Sequence, residues 1–500
     1  MTVQFILNFK TFINNIITMS NKYIIVGGGP TGLLLSLLLG LSNYDVLLIE
    51  KEAKLGGSWK VEWKDGFFTE NSPRILHSGE KTFNKLLSYL NITDSSEFNY
   101  IYGNIVESNL KLARFFIEHF TLYDWYKFII ASIYYRFNES KLTVESWINS
   151  VKLSKKGGKA IRTFSIAISD KSDNVMINDM FGSVEVGYFY GLANPEKWIN
   201  RIEEKLKRLD NVKIYTNSEV LSIQSNKNKV INMSVKLNGI MQNIYAEHYI
   251  ITLPPSDLVN IVHKSDLNIK NNWMEYNNFI NWCDKSSYIG FGFQLHFKEK
   301  VRFPKSWCWS CRDEWVIMIL PVSDYAKKYS YDNKIKTVWS ACIVDMDKTS
   351  SYLNKTPNEC NLNEILSECK RLIYKGYNDS LGLKIPNYEL TTSYGLKKIN
   401  NKWVSKHTAF SRNELGYLQI KGNISNLYSV GPHNKLDTWS IVTINRALDS
   451  ALNFIKKEKN NALCFYKKSL IDYVKNTVYL VILFYIIKIL FNALKITLFL

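Results

Sequence analysis

The stretch "YIIVGGGPTGLLLSLLL", Tyr23 to Leu39, constrains the fold more than any other part of the 500-residue chain. A short apolar run, Tyr23–Val26, ends at Gly27, and Gly29 and Gly32 complete a G-x-G-x-x-G spacing before a leucine-rich run to Leu41. That order reads as strand, tight turn and helix. The first glycine permits the turn, the second lets the backbone approach a pyrophosphate, and the third lets helix and strand pack closely. Pro30 and Thr31 stand in the same turn, where free N–H groups and the positive end of the helix dipole face the phosphates. "YDVLLIEKE" supplies a second strand, Val46–Ile49, ending at Glu50, so the opening is one βαβ unit. An acid about 20 residues beyond the glycines can bond ribose hydroxyls. Glu50 therefore selects a cofactor with a free ribose 2′-hydroxyl, FAD or NAD rather than NADP.

The chain is long enough for two lobes with separate cores. Hydrophobic residues make up 46% of it and aromatics 14%, so most of it should fold. Between Asn211 and Val259, "NVKIYTN", "EVLSIQS", "KVINMSVKLNG" and "AEHYIITLPP" alternate polar and apolar residues and read as strands. A β-rich, aromatic block spans Ser287–Val344, "LYSVGPHN" is one more short strand, and "DTWSIVTINRALDSALNFIKK" reads as a helix. The aromatic region Leu110–Phe137 also reads as helical. It is expected to be the core of a helical lobe, the alternative being an apolar surface beside a membrane. With no internal repeat and no long linker, the two lobes should interleave along the chain.

The net charge of +18 comes mostly from lysine, without an arginine-rich cluster or recognition module, so nucleic acid is not an expected partner. An anionic membrane surface is. From Asn476 the chain reads "NTVYLVILFYIIKILFNALKITLFL", long enough to span ~30 Å of hydrocarbon. Lys488, Asn492 and Lys495 fall on one helical face, which suits either a spanning helix with snorkelled lysines or a helix lying in the interface. The lysine-rich approach "KKEKNNALCFYKKSLIDYVK" places the lobes on the cytoplasmic side of a C-terminal anchor over 470–500. Seven cysteines without a framework fit a reducing compartment. Met1–Ser20 lacks a cleavage site; it is either a short extra helix or a stretch ahead of a start at Met19.

After Glu50 and Lys51 comes "EAKLGGSWKVEW", with the doublet Gly56-Gly57 followed by Ser58 and Trp59. The run "IIVGGGPTGLLLSLLL…VLLIEKEAKLGGSW…DGFFTENSPRIL" resembles the GG-doublet FAD oxidoreductases, the superfamily of flavin amine oxidases, protoporphyrinogen oxidase and phytoene desaturase. "NVKIYTNSEVLSI…AEHYIITLPPSDLVNI" is similar to that family's strand run, in which the residue matching Val220 meets the adenine side through its backbone. "NLYSVGPHNKLDTWSIVTINRALDSALNFI" is similar to the family's last flavin motif, with Gly431 at the strand end and Trp439 near the flavin face or in the core. The resemblance implies an α/β fold. A Rossmann-like FAD-binding lobe (21–80, 196–262 and 400–457) interleaves with an α+β substrate lobe (81–195 and 263–399), and the C-terminal hydrophobic helix is added to these. It also implies FAD as cofactor and a small-molecule substrate. Arg74 lies in the segment that approaches the flavin in this family, where it meets a phosphate, an acidic substrate group or a surface carboxylate; His77 lies there too.

The chain departs from that pattern. Gly431-Pro432-His433 stands where the family has an acid after the glycine, and Asn445-Arg446 where it has small residues. No cysteine sits there for a covalent flavin link. "GFGFQL" at Gly290 lacks the third glycine of an NADPH loop and reads as strand, so the flavin is expected to be reduced by its substrate. "CWSC", Cys308 to Cys311, stands in a strand-like block and reads as structural rather than as a redox dithiol or a metal site. The expected function is an FAD-dependent oxidase or dehydrogenase. It would take a hydride from an apolar or amphipathic substrate such as an amine, polyene or porphyrin-like compound, with no catalytic acid or base singled out. An NADPH-dependent flavin monooxygenase and a degenerate flavoprotein acting as a membrane scaffold remain as alternatives.

Overall fold

The opening βαβ unit sits at the centre of a five-stranded parallel sheet. In this computed structural model the residues described are 21–70, 74–100, 116–183, 188–288, 290–304, 309–311, 314–326, 334–406, 409–437 and 439–459. The sheet runs Leu427–Ser429, Ala246–Ile251, Asn21–Val26, Val46–Ile49, Val212–Tyr215 in spatial order. Its strands therefore come from the start, the middle and the end of the chain. Val46–Ile49 is buried on both faces, as expected of a strand in the middle of a covered parallel sheet.

The leucine-rich helix Pro30–Leu41 packs on one face and is buried nearly all round, so its composition serves a core rather than an amphipathic surface. Ile444–Lys459, Lys81–Tyr89 and Lys197–Lys207 join it in that core. The opposite face carries Ile24, Val26, Leu47 and Ile49 against the antiparallel meander Ser218–Asn226, Lys229–Leu237, Ile240–Ile244. The strands read between Asn211 and Val259 are present. The last helix begins at Ile444, later than the run from Asp437 suggested, because the stretch before it is irregular.

A second sheet is antiparallel, in the order Trp309–Cys311, Ile317–Leu320, Thr337–Ile343, Phe291–Phe297, Tyr388–Thr392. "FGFQLHF" shows its logic: Phe291, Phe293, Leu295 and Phe297 face a core roofed by the helix Leu362–Leu381, while Gln294 and His296 alternate to the other face. That other face looks towards the Rossmann-like lobe, and Gln294 bonds the Glu70 carbonyl across the gap at 2.7 Å. "GFGFQL" is thus strand, as read.

The aromatic region read as the core of a helical lobe supplies that core from one side, with Phe116 and Phe120 buried in it, and shows apolar residues on the other. Phe128 and Ala131 do pack with Trp147, Ile161 and Phe181, but Leu122, Tyr126, Ile130, Ile133 and Phe137 are exposed. Among the described residues no helix is long and apolar enough to cross a membrane. The C-terminal anchor over 470–500, with Lys488, Asn492 and Lys495, lies outside the described residues, as do Met1–Ser20 and Cys308. Cys283, Cys342, Cys360 and Cys369 are buried.

Candidate functional site

Gly27 takes φ +106°, a left-handed conformation that the turn out of the first strand requires. At Gly32 the constraint is contact: a Cβ there would lie 1.9 Å from the Gly27 carbonyl oxygen. Gly29 differs from both. A Cβ on it would meet nothing closer than the Gly57 Cα at 4.0 Å, so its open side faces space rather than protein. Pro30 occupies the first helical position, where no N–H is needed, and leaves the Thr31 and Gly32 amides without intrahelical acceptors. The first turn contains no acid. An anion-binding cradle of backbone donors results. The Thr31 hydroxyl is occupied elsewhere, donating to the Ala447 carbonyl at 2.9 Å and tying the cradle to the last helix.

Glu50 lies buried beneath this loop. Its carboxylate accepts the Gly28 amide at 2.7 Å and the Glu52 amide at 2.8 Å, one on each oxygen. Each oxygen keeps a further lone pair for a hydroxyl. The doublet closes over the loop: the Gly56 amide donates to Gly28 O at 2.8 Å, and Gly56 and Gly57 both have positive φ. A Cβ on Gly57 would lie 3.0 Å from the Gly29 Cα, so the two glycine turns touch. Gly27, Gly29, Gly32, Glu50, Gly56 and Gly57 thus form one constellation. Its donors fit a pyrophosphate and its buried acid fits a ribose, the groups found in the ADP half of FAD.

The other sequence-predicted residues scatter around this centre. Ser58 is exposed, and Lys51 is a surface residue whose ammonium meets Asp257 at 2.9 Å. Val220 is buried at the start of its strand, two residues after Ser218, whose amide donates to the Glu50 carbonyl. Arg74 faces inward: its guanidinium donates to the carbonyls of Trp59 at 2.7 Å and Lys60 at 2.9 Å and sits 3.6 Å from Glu70. It clamps the turn after the doublet onto the lobe boundary. His77 accepts the Gly79 amide and lies against Phe189.

The last motif is closed by its own side chains. The Gly431 amide donates to the Asn434 side chain at 2.8 Å, and a Cβ on Gly431 would lie 2.7 Å from the His433 ring. His433 is fully buried and bonded to the Ser429 hydroxyl; burial, with Arg446 beside it, pushes its pKa down to about 3. It is a neutral structural histidine. The Arg446 guanidinium, 1% exposed, donates to the carbonyls of Pro432, Asn434 and Ser440. Asn445 reaches away, accepting the Thr82 and Phe83 amides at the start of Lys81–Tyr89. Trp439 stacks on Tyr417, whose ring lies beside both Arg412 and Arg446 and whose hydroxyl donates to Asp179.

Between the lobes lies a group that the sequence reading passed over. The Glu70 carbonyl accepts from Gln294 and from the Ser393 hydroxyl at 2.6 Å, joining the doublet segment to the antiparallel sheet. The Glu70 carboxyl is buried, which raises its pKa against the pull of Arg74. Glu70 Oε1, Gln294 Oε1 and the Tyr325 hydroxyl are buried without a hydrogen-bond partner, an arrangement that is costly unless a further polar group completes it. An acid four residues ahead of Arg74, and a glutamine inside an aromatic strand, were the available signals.

Residues 25–90 match the family model of NAD(P)-binding Rossmann-like domains. No curated protein matches the chain. Among solved structures, an oxidoreductase from Methanosarcina mazei is similar at 14% identity with a TM-score of 0.57, covering 87% of this chain and 100% of the other. Cyclohexylamine oxidase from Brevibacterium oxydans follows at 14% identity and 0.54, over 89% of this chain and 100% of its own. Putrescine oxidase, in a structure with putrescine bound, is 12% identical with a TM-score of 0.55, over 89% of this chain and 100% of its own. With its parallel sheet and glycine turns, the chain has the fold of these oxidoreductases.

Proposed function

We propose that the protein is an FAD-dependent oxidoreductase, an oxidase or dehydrogenase of the amine oxidase type, reduced directly by a small-molecule substrate. The contact between the Gly29 and Gly57 turns above buried Glu50 carries this reading. It supplies a cradle for one dinucleotide, and the resemblance of the doublet to the GG-doublet oxidoreductases favours FAD over NAD. When bound, FAD supplies the two-electron acceptor. The chain's residues do the rest: the Thr31 and Gly32 amides and the helix dipole hold the pyrophosphate, and Glu50 holds ribose hydroxyls. Glu70, Gln294 and Ser393 fix the antiparallel sheet against the doublet segment, and the sheet's inner face, with Met318, Leu320, Cys342 and Val344, excludes water. That apolar face supports an apolar or amphipathic substrate such as an amine, polyene or porphyrin-like compound. Attachment to a membrane through 470–500, with the lobes on the cytoplasmic side, belongs to the same proposal and rests on the sequence.

A second reading, a degenerate flavoprotein serving as a membrane scaffold, draws on Arg446, whose guanidinium fills the last turn with internal bonds. The visible spectrum of the purified protein separates the two. Stoichiometric flavin that bleaches anaerobically with an amine or another donor supports the enzyme. Absence of flavin, or a flavin that no donor reduces, supports the scaffold, and bleaching by NADPH alone points to a monooxygenase.

A further inference from the structure

The helix Leu122–Phe137 is turned inside out. At 100° per residue, Leu122, Tyr126, Ile130, Ile133, Tyr134 and Phe137 fall within an arc of roughly 120°. All six are exposed, Leu122 at 66% and Tyr126 at 58%. The buried side holds Asp124, Ser132 and Arg136 beside Phe128 and Ala131. Polar bonds fix this orientation. Asp124 accepts from Thr121 and from both the amide and hydroxyl of Ser154, and Arg136 donates to the Phe181 carbonyl. Rotating the helix to hide its apolar arc would break these bonds and strand a buried carboxylate and guanidinium. A contiguous exposed face of this kind marks a contact surface rather than ordinary scatter.

The charges around it say what the surface meets. Lys127 lies over the rings of Tyr123 and Tyr126 on the exposed side. The Tyr123 hydroxyl donates to the Val151 carbonyl, which brings exposed Lys152, Lys155 and Lys156 to the same end of the helix. None of these four lysines has a carboxylate partner among the described residues. The nearby acids do have partners: Glu145 pairs with Arg162, and Glu139 pairs with Lys435. Tyrosines on an apolar arc, rimmed by unpaired lysines, match the boundary between headgroups and acyl chains of an anionic bilayer. We propose that the protein rests on an anionic membrane surface through this helix face, with the helix axis in the plane of the interface. This contact is separate from the C-terminal segment and independent of the flavin reading.

The test uses the full chain on vesicles of phosphatidylcholine with about one third phosphatidylserine and a phospholipid bearing a photoreactive group in its acyl chain. Mass spectrometry then maps the residues that acquire lipid. Lipid should attach within 122–137. Ile130→Glu with Ile133→Glu should abolish that attachment while attachment within 470–500 persists. Lys155→Glu with Lys156→Glu should lower it by about fivefold or more, reflecting loss of attraction to anionic lipid. All four positions are exposed, and an unchanged circular dichroism spectrum confirms the fold. Attachment confined to 470–500, or cross-linking of 122–137 to protein instead of lipid because the C-terminal segment or a second copy covers it, would overturn the proposal.

Discussion

The two glycine turns that frame the candidate site are built in opposite ways. The opening turn, Gly27–Gly32, uses its glycines against its own strand and helix but leaves Gly29, the Thr31 and Gly32 amides and the free lone pairs of Glu50 turned outward. The closing turn, Gly431–Asn434, turns its groups inward. Asn434 takes the Gly431 amide, and Arg446 takes the Pro432 and Asn434 carbonyls. A turn that leaves donors unspent is poised for a ligand; one that satisfies them internally is a rigid structural joint. The opening turn is therefore left open to a ligand, while the closing turn is built around a buried cation.

The largest test of this contrast is Gly32→Ala. Its methyl would lie 1.9 Å from a backbone oxygen that cannot move without breaking the turn. A loss of more than about 4 kcal/mol is expected, seen as unfolding at ordinary temperature in a denaturant titration. Arg446→Met comes next. It removes the donors for three carbonyls and leaves the buried one, of Asn434, without its guanidinium partner, and chemical denaturation should register a loss of about 3 kcal/mol. A variant within about 0.5 kcal/mol of the parent would show that the closing turn does not depend on Arg446.

The closing end should also respond to pH. Glu80, bonded by the His77 amide and beside Thr443 and Asp449, has its pKa raised by burial from 4.5 to about 7. The folded state then holds a proton that the unfolded chain releases. Stability is complete below the ordinary value and falls as pH rises to about 7, by up to about 3 kcal/mol. Asp449, raised by burial to about 6, adds a smaller loss of the same sign. Denaturation midpoints taken between these pH values should fall for the parent and fall less for Glu80→Gln. A parent whose stability rises over that range would contradict the assignment. The smallest expected effect on folding is Gly29→Ala, whose added methyl meets only the Gly57 Cα, at an ordinary contact distance of 4.0 Å. It should denature like the parent yet bind flavin on the order of tenfold more weakly, measured by flavin retention on dilution. Equal losses of stability for Gly29→Ala and Gly32→Ala would erase the contrast.

Much of the nucleotide end was legible because it is local. Strand, glycines, helix and second strand follow one another within 30 residues, and each residue type has a steric reason set by its neighbours in sequence. The lobe boundary was not legible in that way. Glu70 meets Gln294 and Ser393 from distant segments, and no local period marks such a meeting. The closing turn was half legible: Pro432, His433 and Arg446 stand out as departures, but that Arg446 supplies the bonds holding the turn is a matter of three-dimensional contact. The aromatic helix was half read: its core side is present, but composition reports how much apolar surface exists and not which side of it is covered.

The sequence alone determined the βαβ opening, the acid beneath it and the doublet that follows, since these depend on backbone sterics and short-range spacing. Only the tertiary structure decided that the doublet closes onto Gly29, that a buried guanidinium fills the last turn, and that Leu122–Phe137 shows its apolar side to the outside. Each of those depends on which distant segment packs against which face, and burial is a property of the assembled chain rather than of any stretch of it.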